Sequence, residues 1–323
     1  MNSSEAGLER AREIVDRTIR DKYQLSRTYL FLHDLGLTYI PEDLFDHLPM
    51  IEYVVLSGNN LTYLPERLFY NNPNLRIVDV SKNELTSLPE RLFYNNLALE
   101  YVDVSKNELT SLPGLLFSRN NRLINIDCPT NRLATLPTGI FDSCPELKGV
   151  KLSSNRLESL PDTLFEKNHK LQSVLLDCNH FTSIPACILS NHQRLSHVDL
   201  GSNRIRELPP MLYWPNLYIL VLHNNPILAL PPTLLENCPN VAYVDLCLCS
   251  SIEEFPETFF QNSPKLDQVY MYGMCRLSYL PPDLFKNNLL LEELDISINP
   301  LLTSIPRLDH LNRLKTIRTS NSN

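Results

Sequence analysis

The stretch VDVSKNELTSLP occurs at residues 78–89 and again, letter for letter, at 102–113. The two copies lie 24 residues apart, and the frame they set runs through most of the chain. Leu75, Leu99, Leu123, Leu147, Leu171 and Leu195 open successive units at that spacing. Within a unit, apolar residues recur at positions 1, 4, 6, 11 and 14, Asn at 9 and Pro at 15. A fixed period of this length marks a solenoid, in which each repeat buries its apolar face against its neighbours.

In the unit from Leu75, the alternation over 78–82 predicts a short strand with Val78 and Val80 inward. Asn83 ends the strand, where its amide can serve backbone groups in the next rung. Leu85 and Leu88 return to the core, and Pro89 discourages a continued strand or helix. Leu92 and Phe93 fill the far side before the Asn95-Asn96 loop brings the chain back.

The pattern LxxVxVSxNxLTxLPxxLF resembles the leucine-rich repeat in its 24-residue form. The resemblance covers residues 27–317, about twelve rungs. It implies an α/β repeat solenoid: a leucine-rich repeat horseshoe with a parallel concave sheet, a mostly irregular or 3₁₀ convex side and an N-terminal capping helix. The Asn column is broken by Leu35, Cys249 and Met274. Cys is a known substitute for Asn there, so Cys249 reads as structural. The column of Phe45, Phe69, Phe93, Phe117, Phe141 and Phe165 continues with Leu189, Tyr213, Leu235, Phe260 and Phe285, and is expected to stack as a spine. Residues 1–26 are assigned to the capping helix, with Leu8, Ala11, Val15 and Ile19 on one stripe, and 318–323 to a polar tail.

A formal charge of −8 argues against nucleic acid as the main partner. No apolar run approaches the roughly 20 residues of a membrane span, and the amino terminus lacks the apolar core of a Sec signal. The first 127 residues and the last 48 contain no Cys. Extracellular leucine-rich repeat proteins usually close both ends with disulfide-rich caps, so this departure favours a reducing, cytoplasmic or otherwise intracellular compartment.

Positions 3, 5, 7 and 8 are expected to face outward on the concave side. There, Tyr29, Phe31, Tyr53, Val55, Ile77 and Tyr101 form one aromatic and apolar cluster, and Ile219, Val221, Tyr243, Tyr270 and Tyr272 a second. Exposed aromatic clusters supply interface hot spots, although Tyr also simply suits strands. Asp79, Asp103, Asp127, Asp199, Asp245 and Asp295 form an acidic column that reads as solvating, Asp being the ordinary residue at that position. Arg132, Arg156 and Arg204 change the sign of one edge. His223 and Cys247, at position 7 of adjacent rungs with Asp245 two residues back, are the one nucleophilic arrangement within reach. An open sheet offers it no pocket, so no catalytic residue is assigned. Cys178, His180 and His197 cluster in sequence, but the rungs separate the two His by roughly 16 Å, so no metal or cofactor is expected.

The sequence thus reads as a non-catalytic, monomeric binding module for a protein or peptide partner. A translocated bacterial effector acting on host proteins is slightly preferred over a eukaryotic intracellular adaptor, and an extracellular recognition receptor is the third alternative.

Overall fold

The computed structural model describes residues 28–189 and 192–319, together with Glu13 and Arg17, which are helical and exposed. The stripe of the expected capping helix (Leu8, Ala11, Val15, Ile19) and residues 320–323 of the expected tail lie outside the described residues. The chain divides into two compact units, one up to Lys170 and one from Leu171 onward.

The first unit carries six three-residue strands: β1 (Tyr29–Phe31), β2 (Tyr53–Val55), β3 (Ile77–Asp79), β4 (Tyr101–Asp103), β5 (Asn125–Asp127) and β6 (Gly149–Lys151). They pair in parallel and in chain order, in a register that aligns Tyr29, Tyr53, Ile77, Tyr101, Asn125 and Gly149. The second carries β7 (Ser173–Leu175), β8 (His197–Asp199), β9 (Ile219–Val221), β10 (Tyr243–Asp245), β11 (Gln268–Tyr270), β12 (Glu293–Ile296) and β13 (Thr316–Thr319), again parallel and in order. Each unit is a stretch of parallel-stranded leucine-rich repeat solenoid, as the 24-residue period implies. Strand β13 takes in Arg318 and Thr319, two residues the sequence reading assigned to the tail.

Alternation sets the inner and outer faces. The central residue of each strand from β1 to β11 is buried, from Leu30 and Val54 through to Val269, and the flanking residues mostly face solvent. Opposite the strands, the backbone winds through consecutive three-residue turns. Leu92 N–H donates to Pro89 C=O, Tyr94 N–H to Arg91 C=O and Asn96 N–H to Phe93 C=O. The bracketing prolines accept hydrogen bonds there without having to donate one. The far side is accordingly almost free of α-helix, apart from one turn at Ala186–Leu189.

Two ladders of buried amides hold the rungs. In the first, Asn107 Nδ2 donates to Val80 C=O of the preceding rung (3.0 Å) and Val104 C=O of its own (3.1 Å), while its Oδ1 accepts from Leu85 N–H (3.0 Å). Asn83, Asn131, Asn155, Asn203 and Asn225 repeat the arrangement, so each amide serves the rung before its own and not, as the sequence reading expected, the next one. Cys249, where the column breaks, still reaches Leu222 C=O with its thiol at 3.3 Å, which confirms its structural role. The residue before each of these amides is left-handed, including non-glycine residues such as Lys82 (φ 53°) and Lys106 (φ 53°), and so is Leu248 (φ 60°) before Cys249.

The second ladder was not read from the sequence. Asn96 Nδ2 donates to Phe69 C=O and Asn72 C=O, and Asn72, Asn120, Asn168 and Asn288 do likewise on the far side. Among the described residues the buried Oδ1 atoms of these five have no hydrogen-bond partner.

Beside it, Phe45 to Phe165 stack with ring centroids 5.7 to 6.1 Å apart. The expected spine does not continue through Leu189 and Tyr213. Leu189 is only half-buried in the helical turn, and Tyr213 is 62% exposed. Trp214 is buried in that shortened rung, its indole N–H donating to Ile188 C=O at 2.8 Å. Leu217 N–H donates to Trp214 C=O as Leu75 N–H does to Asn72 C=O, so the indole stands in the far-side amide column, while buried Ile188 and Leu212 take the spine position. Ring stacking resumes at Phe260–Phe285, 5.5 Å apart.

The two ladders differ in what a truncation exposes. Asn107→Ala orphans a buried N–H as well as carbonyls, and is expected to cost at least about 2 kcal/mol. Asn96→Ala orphans carbonyls only and removes an already unsatisfied oxygen, so about half that loss is expected. Urea unfolding of both variants checks the order.

Candidate functional site

On the open face of the first unit, the register stacks the outward residues of β1 to β4 into two columns. One holds Tyr29, Tyr53, Ile77 and Tyr101, the other Phe31, Val55, Asp79 and Asp103. The Tyr29 and Tyr53 rings stack at 4.2 Å, and Phe31 lies 6.4 Å from Tyr29. Tyr29 and Phe31 remain 41% and 43% exposed, while Tyr53, Val55, Ile77 and Tyr101 are half-buried. The six residues expected from the sequence do form one contiguous surface. A neighbouring pair, Tyr39 and Tyr63 at 5.8 Å, was missed because both stand at a position the consensus leaves polar.

The cluster ends in a polar network. Tyr101 hydroxyl donates to Asp127 Oδ2 (2.9 Å), which also takes Lys151 Nζ (2.7 Å). Burial and then the Asp127 carboxylate push the Tyr101 phenol well above its usual range. Arg76 lies between Glu52 (3.5 Å) and Glu100 (2.9 Å) along the flank. Arg76, Lys151 and their carboxylates are thus paired at the edge of the cluster, and Tyr29 and Phe31 are left open beside them.

The acidic column has a structural role. Asp79, Asp103, Asp199, Asp245 and Asp295 each accept from the backbone N–H two residues on, at 2.8 to 3.0 Å. Each carboxylate closes the turn that leaves its strand. Of the three edge arginines, Arg132 reaches back to Glu108 at 2.9 Å.

In the second unit, Ile219, Val221, Tyr243, Tyr270 and Tyr272 also share the open face. Tyr243 and Tyr270 approach to 5.4 Å, and Tyr270 hydroxyl donates to Glu293 at 2.7 Å. His223 does not activate Cys247. Its Nδ1 lies 3.5 Å from Asp245, and interaction with that carboxylate raises the imidazole above its usual value. Burial and contact with the Asp245 carboxylate push the Cys247 thiol far up, the reverse of what a nucleophile needs. Among the described residues no group of three His, Cys, Asp or Glu side chains converges to hold a metal ion, and no helix is long and apolar enough to cross a membrane.

Alkylation by iodoacetamide is expected to modify exposed Cys178 and Cys275 well before Cys247, read by peptide mass spectrometry. A pH dependence follows from Asp199, raised by burial and then by Asp177 from 3.8 to about 6. Between those values the folded chain holds a proton the unfolded chain releases, so this group's contribution to stability falls as pH rises. Asp199→Asn keeps an acceptor for Gly201 N–H, and is expected to raise Tm at pH 7.5 and flatten its fall between pH 4 and 6.

Several solved structures share this fold. The toll-like receptor TLR13, in its complex with ssRNA13, matches with a TM-score of 0.68 at 21% identity, over 90% of this chain and 49% of its own. Drosophila Toll, in its complex with Spatzle, matches at 0.66 and 26% identity, over 85% and 41%. An internalin of Listeria monocytogenes matches at 0.69 and 15% identity, over 95% of both chains. The chain thus spans about half the length of the first of these proteins. No curated protein matches it by sequence. The profile of the BspA type leucine-rich repeat region matches in six copies, over residues 38–172 and 86–216, which together are more than half of the chain. With its repeat period, amide ladder and parallel strands in agreement, the chain belongs to the BspA-type leucine-rich repeat family.

Proposed function

We propose that the chain is a non-catalytic binding module that takes a protein or peptide partner on the open face of β1 to β4. The observation that carries this reading is the stacked Tyr29–Tyr53–Phe31 surface, exposed on the sheet. Rings already fixed by stacking lose little further freedom on binding, which is what makes aromatic residues effective anchors. Toll supplies a precedent for a protein partner, in its complex with Spatzle. The RNA complex of the toll-like receptor supplies the competing one. Net charge of −8 favours protein.

All eight cysteines are free thiols, six of them buried. A reducing compartment accommodates them without disulfide exchange, which supports an intracellular protein. An effector acting on host proteins is the finer form of this proposal, with an adaptor of the producing cell as its alternative.

The test is affinity capture from reduced eukaryotic cytosol with wild type and the Tyr29→Ala/Tyr53→Ala double variant. A protein that binds the wild type directly and the variant at least about tenfold more weakly, with Tm unchanged, is the expected result. Equal binding by both would remove this face from consideration. Eight thiols titrating in the denatured protein isolated from its source are expected, whereas disulfides there would favour the extracellular receptor.

A further inference from the structure

The open face of the second unit has a different chemistry from the first. Asp199 on β8, Asp245 on β10 and Asp295 on β12 lie in one register column, with Glu293 beside Asp295. From β7 to β12, positions 3, 5 and 7 contain no Lys or Arg at all. The first Lys or Arg in those columns is Arg318 on β13, 3.4 Å from Asp295, and His223 stands 3.5 Å from Asp245. In the first unit Lys151 takes Asp127, and Arg76 takes Glu52 and Glu100. The second face therefore carries surplus negative charge.

That charge surrounds an aromatic floor. Tyr243 and Tyr270 lie 5.4 Å apart, Tyr272 is exposed next to them, and the Tyr270–Glu293 hydrogen bond ties ring to carboxylate. His223 lies down across Gly201, where an added Cβ would come within 2.4 Å of the ring. The face stays low and open because position 201 has no side chain. A cationic side chain laid over a tyrosine ring gains the attraction of its quadrupole, and carboxylates at the rim add direct charge complementarity. An anionic or purely apolar partner would leave those carboxylates desolvated and unanswered.

We propose that this face docks a Lys- or Arg-bearing segment of a partner protein, with its cations over Tyr243, Tyr270 and Tyr272 and facing Asp199, Asp245 and Glu293. The proposal rests on the reading of the chain as a binding module but not on the aromatic cluster of the first unit, so the two fail separately.

The test is fluorescence anisotropy with the full chain and a labelled peptide of alternating Arg and Ser, against its Gln-Ser counterpart. The Arg peptide is expected to bind with an affinity that falls as NaCl is raised, and the Gln peptide not to bind. Asp199→Asn/Asp245→Asn should weaken binding by about tenfold or more. Tyr272→Ala, at an exposed side chain whose loss does not threaten the fold, should weaken it by roughly threefold. Tyr29→Ala/Tyr53→Ala should leave it unchanged. Absence of binding by the Arg peptide would overturn the proposal. So would equal affinity for wild type and the Asp double variant, because the attraction would then lie in net charge and not in this face.

Discussion

Turning a chain sharply after three strand residues leaves backbone N–H and C=O groups pointing into the space between rungs, where water cannot reach them. A buried primary amide answers the problem because it donates twice and accepts as well. Asn107 binds a carbonyl of its own rung, a carbonyl of the rung before and an N–H of that same earlier rung. Each rung is thereby complete only when its neighbour is present, which makes stability a sum of nearest-neighbour couplings. The cost is local. The residue before each amide adopts the left-handed conformation, which for an L residue is unfavourable by about 1–2 kcal/mol, and the recovered hydrogen bonds offset it.

The same turn determines what faces outward. Because the Asp at position 5 binds the N–H two residues on, a carboxylate recurs along the open face for reasons of backbone geometry. What distinguishes one face from another is then what stands beside those carboxylates. In the first unit Lys151 takes Asp127 and the exposed surface is left to Tyr29, Phe31 and Tyr53. In the second, no Lys or Arg stands in those columns before Arg318, and Asp199 and Asp245 crowd His223 instead. A repeat frame can present two chemically different surfaces because the outward positions are excused from packing.

Catalysis is disfavoured by the same logic. Cys247 and His223 are adjacent in register, yet the Asp245 carboxylate between them stabilises the imidazolium and discourages the thiolate. Sequence spacing identified the neighbours correctly but not the direction in which the shared carboxylate acts. That direction depends on which atoms approach Asp245 Oδ2, and no register argument contains it.

Fold class, rung boundaries and the membership of the first aromatic cluster were all legible in the sequence, since a strict 24-residue period converts position in the chain into position on a strand. Three features were decided only by the tertiary structure. Trp214 enters the far-side amide column, its indole N–H on Ile188 C=O, in a rung whose two-residue deletion shifts every column behind the strand. The far-side ladder of Asn72, Asn96, Asn120 and Asn168 was hidden because Asn in a loop reads as a turn residue until its amide is seen buried against a neighbouring rung. Tyr101 reads as one more exposed aromatic, but its hydroxyl is bound to Asp127 of the next rung. Period and alternation are properties of the chain, and they carried the backbone. Hydrogen-bond partners and charge pairing arise between rungs, where only packing decides which of several reachable groups is met.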